Sequence, residues 1–212
     1  MYKNYFKRVF DFVISLVALI VLSPLFVIMM ILGMLILKGN PFFVQERPGK
    51  GERVFKLIKF RSMANFKDKD GNLLPDKDRI TSYGEMIRKL SIDELPELIN
   101  VLKGDMSLVG PRPLLVEYLP YYTEEEKHRH DVRPGITGLA QINGRNYITW
   151  EETFAYDVEY VRNISLINDI KILFNTVGKV ISHDGVTDAT DSDTDSNGVH
   201  VHDALNIERG NK

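Results

Sequence analysis

The chain has no cysteine among its 212 residues. Disulfide staples and thiol nucleophiles are therefore excluded, and a reducing compartment suits it. Nor does it carry much net charge: 27 Lys and Arg stand against 29 Asp and Glu. The balance hides an uneven distribution. Residues 187–212 hold six acids (Asp188, Asp191, Asp193, Asp195, Asp203, Glu208) and two bases (Arg209, Lys212), so the rest of the chain is net +2. A slightly basic body fits an anionic partner or membrane surface only weakly, and nothing in it points to nucleic acid.

Charge is missing altogether from Phe12 to Leu37, 26 residues interrupted only by Ser15, Ser23, Pro24 and Gly33. About 20 apolar residues suffice to span a bilayer. A cleaved signal peptide fits poorly, because the run is too long and no small-x-small site precedes Lys38. Pro24 falls almost at the midpoint. In a helix interior, proline removes a backbone donor, clashes four residues back and costs about 3 kcal/mol. The carbonyl of Ile20 is then freed in hydrocarbon, with the Ser23 hydroxyl as a local partner. Lys3, Lys7 and Arg8 precede the run, and Lys38, Arg47 and Lys50 follow it. Both ends therefore carry the basic signature of the cytoplasmic side. A helix that breaks at Ser23-Pro24 and returns to the same face satisfies both ends, whereas an ordinary kinked span satisfies one. These residues leave both readings open.

Beyond Asn40-Pro41, Phe42–Arg47 and Val54–Phe60 read as two strands joined by the turn Pro48-Gly-Lys-Gly51. Period-two alternation puts Phe55, Leu57, Lys59 and Arg61 on one face. Either this hairpin lies on a membrane, or Lys59 and Arg61 reach an anionic substrate. Residues 66–80 are a polar loop turning at Asp70-Gly71. Tyr83–Leu90 reads as a short helix, and Ser91–Leu102 as another with Pro96 near its first turn.

Asp93 and Glu94 sit at the start of that second helix. Ser91-x-x-Glu94 spells a capping box, and Asp93 there favours the macrodipole. The same position keeps a carboxylate ionised for use as a nucleophile or metal ligand, and two neighbouring carboxylates share a Mg²⁺ with a diphosphate. Arg88 lies just upstream. Downstream, Arg112 is held between Pro111 and Pro113, which leaves its backbone little freedom, and arginine binds phosphate bidentately. Arg129 to Asn146, rich in cations, glycine and amides and including Arg145, reads as a loop that wraps an anionic ligand. Thr149-x-x-Glu152 caps a helix bearing Trp150, Phe154, Val158 and Val161 on one side. Ser165 starts another, with Ile170, Leu173, Phe174, Val177 and Ile181 apolar and Asp169 polar, suited to core packing or to a membrane surface. The polar stretch after Thr187 reads as disordered at its start. Asp193-x-Asp195-x-Asn197-Gly198 imitates a calcium loop but has Ala204 where a bidentate glutamate is needed.

Taken together, Lys7-Arg8-x-x-Asp11, Ser23-Pro24, Gln45-x-Arg47-Pro-Gly49, Lys59-Phe-Arg-Ser-Met63, Ser91-Ile-Asp-Glu-Leu-Pro96, Asn100-Val-Leu-Lys-Gly-Asp-Met-Ser107, Val109-Gly-Pro-Arg-Pro113, Arg133-Pro-Gly-Ile-Thr-Gly138 and Asn143-Gly-Arg-Asn146 closely resemble the bacterial sugar transferases, the monotopic polyprenyl-phosphate phosphoglycosyl transferases. The resemblance covers about residues 3–186. It implies an α+β, mostly helical fold: a re-entrant helix-break-helix over residues 1–38 broken at Ser23-Pro24, a small β-hairpin, and a helical cytoplasmic catalytic domain with interfacial helices over 39–186. An acidic polar tail, 187–212, follows.

The implied activity is transfer of sugar 1-phosphate from a UDP-sugar to polyprenyl phosphate, with release of UMP. It is the first membrane step of glycan assembly, at the cytoplasmic face of the bacterial inner membrane. By the same resemblance Asp93 is the nucleophile, and Glu94 assists by base or metal chemistry. Arg88 holds the polyprenyl phosphate and Arg112 reads the nucleotide. Mg²⁺ is held at Asp93 and Glu94, and Lys59, Arg61 and Arg145 complete the substrate-binding set. Membrane lipid and downstream glycosyltransferases are the implied partners. Leu139 stands where tryptophan is usual, Glu97 where glutamine is common, and Ser62 where threonine is common. A membrane-anchored phosphohydrolase and a non-enzymatic glycan-assembly scaffold are the rival readings.

Overall fold

The computed structural model describes residues 1–144, 148–182 and Leu205. The apolar segment forms two helices, α1 (Lys7–Val21) and α2 (Ser23–Leu37), bent by 65° at Leu22. Pro24 thus falls in the first turn of α2, where a missing N–H costs nothing, rather than in a helix interior. The Ser23 hydroxyl donates to the Ile20 carbonyl at 2.8 Å, the partner expected from the sequence.

The hairpin follows as β1 (Phe42–Pro48) and β2 (Val54–Phe60), antiparallel, with Phe42 opposite Phe60 and Pro48 opposite Val54. Residues 66–80 carry more structure than a plain polar loop. Met63 bridges Ile80, Lys67 bridges Leu73, and a single helical turn, α3, runs from Asp76 to Arg79. Thr81 caps α4 (Ser82–Lys89) by accepting from the Gly84 N–H at 3.1 Å.

The helix expected from Ser91 does not begin there. Ser91 has φ +53 and no capping hydrogen bond; it serves instead as the left-handed exit of α4. A 3₁₀ turn, Ile92–Glu94, follows, and α5 runs only from Glu97 to Lys103. Pro96 accounts for the delay through its missing N–H: Leu95 and Pro96 already have helical backbone, but proline donates no bond back along the chain, so the regular helix starts at Glu97.

Two short strands, β3 (Ser107–Val109) and β4 (Gly135–Thr137), pair in parallel. Backbone packs on backbone beside them: a Cβ on Gly135 would lie 2.1 Å from the Gly110 nitrogen. The chain closes with α6 (Leu139–Asn143), α7 (Trp150–Arg162) and α8 (Leu166–Ser182). The Thr149–Glu152 capping box on α7 forms as expected, and Trp150, Phe154, Val158 and Val161 are buried.

The main core joins Leu57, Leu98, Val101, Met106, Tyr160 and Ile172, with Ile14, Ala18 and Leu19 of α1 packed against it. A second core sets Met29 and Leu37 of α2 against Phe60, Tyr83 and Ile87. Buried ion pairs tie α1 to the rest. Asp169 accepts from Lys7 Nζ and the Tyr2 hydroxyl, both at 2.6 Å, and from the Tyr160 hydroxyl at 2.8 Å. Asp11 accepts from Ser107 Oγ at 2.7 Å and the Leu108 N–H at 3.2 Å. Asp169 therefore faces the core, not solvent. Core packing accounts for Ile172, but Ile167, Ile170, Phe174 and Val177 form an exposed apolar face on α8. Leu205 is buried among Tyr118, Tyr122, Trp150 and Phe154. The calcium-like stretch and the expected disorder after Thr187 lie outside the described residues.

Candidate active site

The 3₁₀ turn and α5 present three carboxylates to one lysine. Lys59, near the end of β2, donates to Glu94 Oε1 at 2.9 Å and lies 3.2 Å from Glu97 Oε1. Period-two geometry puts Lys59 on the face turned toward α5, and Asn100 fixes the register of that contact. Its amide donates to the Lys56 carbonyl at 2.7 Å and its side-chain oxygen accepts from the Ile58 N–H at 3.1 Å. From the other side Arg112 Nη1 donates to the same Glu94 Oε1 at 3.1 Å. Arg88, at the end of α4, donates through Nε to Ser62 Oγ at 2.8 Å and acts electrostatically on Asp93. Either a serine or a threonine hydroxyl serves that contact.

The carboxylates crowd one another. Burial and the neighbouring Glu94 push Asp93 up to about 6, against the pull of Lys59, Arg112 and Arg88. The helix-terminus expectation of an easily ionised Asp93 therefore has the wrong sign: the turn is too short and too buried to offset a second carboxylate. Burial and Glu94 likewise push Glu97 up to about 7, although Lys59 opposes the shift. Burial works against the charge on Lys59, but Glu94 and Glu97 outweigh it and hold the ammonium above its ordinary range. Glu94 in turn raises Arg112.

Of the expected residues, the structure brings together Asp93, Glu94, Arg88, Arg112 and Lys59. Arg61 turns away to the Asn40 carbonyl at 3.3 Å, at the end of α2, and makes no contact with the carboxylates among the described residues. Arg145 lies outside the described residues. Leu139 packs against the main core.

Sequence reasoning missed three site residues. Glu97, noted only as a departure from glutamine, is 3% exposed and shares Lys59. Arg129 belongs to no ligand-wrapping loop. It is 2% exposed and forms an ion pair with Asp157 at 2.7 Å. It also donates to the Tyr122 hydroxyl at 2.8 Å and to the Arg112 carbonyl at 2.8 Å. Asp157 lay open to detection, because it falls on the apolar stripe of Phe154, Val158 and Val161, where an acid needs a buried partner.

Replacing Glu97 by glutamine tests the crowding. A carboxyl whose native pKa is raised adds stability while protonated and loses it as pH rises from 4.5 through about 7. Glu97→Gln is therefore expected to raise the unfolding free energy at pH 8, by an amount on the order of 1 kcal/mol, and to leave it level or lower at pH 5, as read by urea unfolding at the two pH values.

A cluster of alternating carboxylates and cations beside a rigid Pro-Arg-Pro loop is suited to chemistry on phosphate esters. Comparison with known proteins agrees. The family model described as "Bacterial sugar transferase" matches residues 2–183. The chain is a bacterial sugar transferase. It is 54% identical over 182 residues to the uncharacterized sugar transferase EpsL of Bacillus subtilis, covering 85% of this chain and 89% of that protein. The exopolysaccharide production protein ExoY of Sinorhizobium fredii is 39% identical over 191 residues, covering 82% and 84%. The undecaprenyl-phosphate galactose phosphotransferase of Salmonella typhimurium is 40% identical over 203 residues, covering 86% of this chain but 42% of that longer protein.

Proposed function

We propose that this sugar transferase moves a sugar 1-phosphate from a UDP-sugar to a polyprenyl phosphate, with Asp93 as covalent nucleophile. The observation that carries the reading is the Asp93–Glu94 pair facing Lys59, Arg88 and Arg112 in one partly buried site. A carboxylate oxygen of Asp93 attacks the sugar-bearing phosphorus. The bond from that phosphorus to the bridging oxygen breaks, and UMP leaves with the electron pair. An oxygen of polyprenyl phosphate then attacks the same phosphorus, the acyl-phosphate bond breaks, and the Asp93 carboxylate is restored beside a polyprenyl diphosphate sugar. Arg112 and Arg88 neutralise phosphate charge and hold both substrates in line. Lys59 keeps Glu94 and Glu97 from repelling an incoming diphosphate.

Two adjacent, mutually repelling carboxylates are hard oxygen donors of the kind that hold Mg²⁺ with a diphosphate. Asp93 and Glu94 would hold the ion, which when bound would draw negative charge from the phosphate oxygens.

The same reading makes the bent α1–α2 pair a re-entrant membrane anchor. Each helix has 15 residues, about 22 Å, short of a bilayer's roughly 30 Å core. With a 65° bend and both ends at one surface, the vertex lies about 12 Å deep. Both ends grip the same body, Lys7 through Asp169 and Leu37 through the second core. A body on one side of a bilayer cannot hold both ends of a full span. The exposed Ile167, Ile170, Phe174 and Val177 face of α8 fits the same surface.

The test is UMP release by detergent-solubilised protein with undecaprenyl phosphate, Mg²⁺ and a panel of UDP-sugars. Release that requires the lipid is expected. Sustained release of free sugar phosphate without lipid would make the chain a hydrolase. Silence from every donor, with the fold intact, would leave the scaffold reading.

A further inference from the structure

Three motifs singled out in the sequence play no part in the Asp93 site: Arg47-Pro-Gly49, Gly104-Asp105-Met106 and Arg133-Pro-Gly135. The second joins α5 to β3, the third leads into β4, and the first belongs to the hairpin tip. They nonetheless meet. Gly49, Lys50, Arg53, Gly104, Asp105 and Arg133 line a cleft of about 640 Å³ between the hairpin tip and the C-terminal end of α5. Asp93 and Glu94 precede α5 and Gly104 closes it, so the cleft and the carboxylate site lie at opposite ends of that helix.

Three cations, Lys50, Arg53 and Arg133, line the cleft against a single acid. Arg133 is half-buried and spends only Nε on the protein, donating to the Gly104 carbonyl at 2.7 Å. Among the described residues its terminal nitrogens meet no hydrogen-bond acceptor, and Lys50 and Arg53 meet no carboxylate. Asp105 is the one acid in the lining, and it already accepts from the Asn100 amide at 3.3 Å. Behind Gly104 stands Arg8, whose Nη2 would lie 3.3 Å from a Cβ there and which donates to the Val101 and Leu102 carbonyls. Gly49 and Gly104 keep two walls at the level of bare backbone. Phe55 adds an apolar side.

We propose that this cleft is a second anion site that takes a phosphate mono- or diester, separate from the Asp93 centre. A guanidinium with its terminal fork open matches a phosphate's paired oxygens, and the cleft's volume lies in the range of small-ligand sites. A phospholipid headgroup and a soluble phosphate ester offer the same chemistry. Their difference is whether the phosphate arrives tethered to the bilayer.

The test holds the full chain in a phosphate-free maltoside detergent and follows amide hydrogen exchange at residues 49–55 and 104–106. One arm adds glycerol 3-phosphate; the other adds phosphatidylglycerol to the micelles. Protection at these residues is expected, with half-saturation weakened roughly tenfold in a Lys50→Gln/Arg53→Gln variant and unchanged in Lys67→Gln. Both substituted residues are exposed, so folding is not at stake. Protection in both arms identifies the phosphate itself as the ligand, and protection by phosphatidylglycerol alone identifies the headgroup. No protection in either arm, or protection that persists in the double variant, overturns the proposal. An Asp93→Asn protein run alongside gives the same result whether or not the transferase reading holds.

Discussion

Asp93→Asn is expected to abolish sugar-phosphate transfer, by roughly 1000-fold or more, while making the chain more stable at pH 8. The two effects share one cause. Asparagine keeps the shape of the side chain but cannot attack phosphorus, so the covalent intermediate proposed for Asp93 cannot form. In the parent, burial and Glu94 raise the Asp93 carboxyl from 3.8 to about 6. A raised carboxyl stabilises the fold while protonated, and that contribution is lost as pH rises from 3.8 through about 6. Above that range Asp93 and Glu94 repel each other in the parent, and the variant lacks that repulsion. The stability gain should therefore appear at pH 8 and vanish near pH 4. In the parent, activity should rise with pH through about 6, as the nucleophile ionises. An Asp93→Asn protein that still supports multiple turnovers would rule Asp93 out as nucleophile. One that loses activity without gaining stability at pH 8 would show that the carboxylates do not repel as described. Thermal unfolding in detergent at two pH values, beside the UMP assay, reads both.

Arg129→Met is the second large effect. It should cost about 3–5 kcal/mol of stability, because Asp157 is left charged and unpaired in the interior. Asp157 is 2% exposed and has no water to turn to. Adding Asp157→Leu should return much of that loss, since an apolar pair replaces an ionic one of similar volume. Activity should not return with it. Arg129 is also the donor to the Arg112 carbonyl, and neither methionine nor leucine can hold that loop. The double variant should therefore unfold near the parental urea midpoint yet show a raised KM for the UDP-sugar. A stable double variant with parental kinetics would show that Arg112 is held in place by its two prolines alone.

The difference between Arg112 and Arg129 shows what the sequence could and could not reveal. Arg112 was legible because two prolines advertise a fixed backbone, and Asp93–Glu94 because adjacent acids before a helix are conspicuous. The hairpin and α7 were legible from period and caps, which are local signals. Arg129 was not, because its meaning depends on Asp157, 28 residues away in sequence and brought to 2.7 Å by the fold. Arg61 misled for the converse reason. Strand alternation gave it the same face as Lys59, but Arg61 lies one residue past the end of β2 and its guanidinium goes to the Asn40 carbonyl instead of the carboxylates. The Ser91 capping box misled because a four-residue pattern fits both a helix start and the exit of the preceding helix. Positive φ at Ser91 decided between them, and φ is a property no spacing encodes.

The grip of α1 on the rest of the chain limits how such proteins can evolve. Recombination exchanges a segment cleanly only where few contacts cross the exchange point. A crossover near residue 38 would fail here. It would remove Lys7 from Asp169, Arg8 from the end of α5, and Asp11 from Ser107 and Leu108, leaving a buried acid and open backbone groups in the body it sought to keep. The first helix is a keystone of the catalytic body, whatever else it does. Changes to this pair of helices must be reached by substitution along α1 and α2, residue by residue, and not by exchanging them whole.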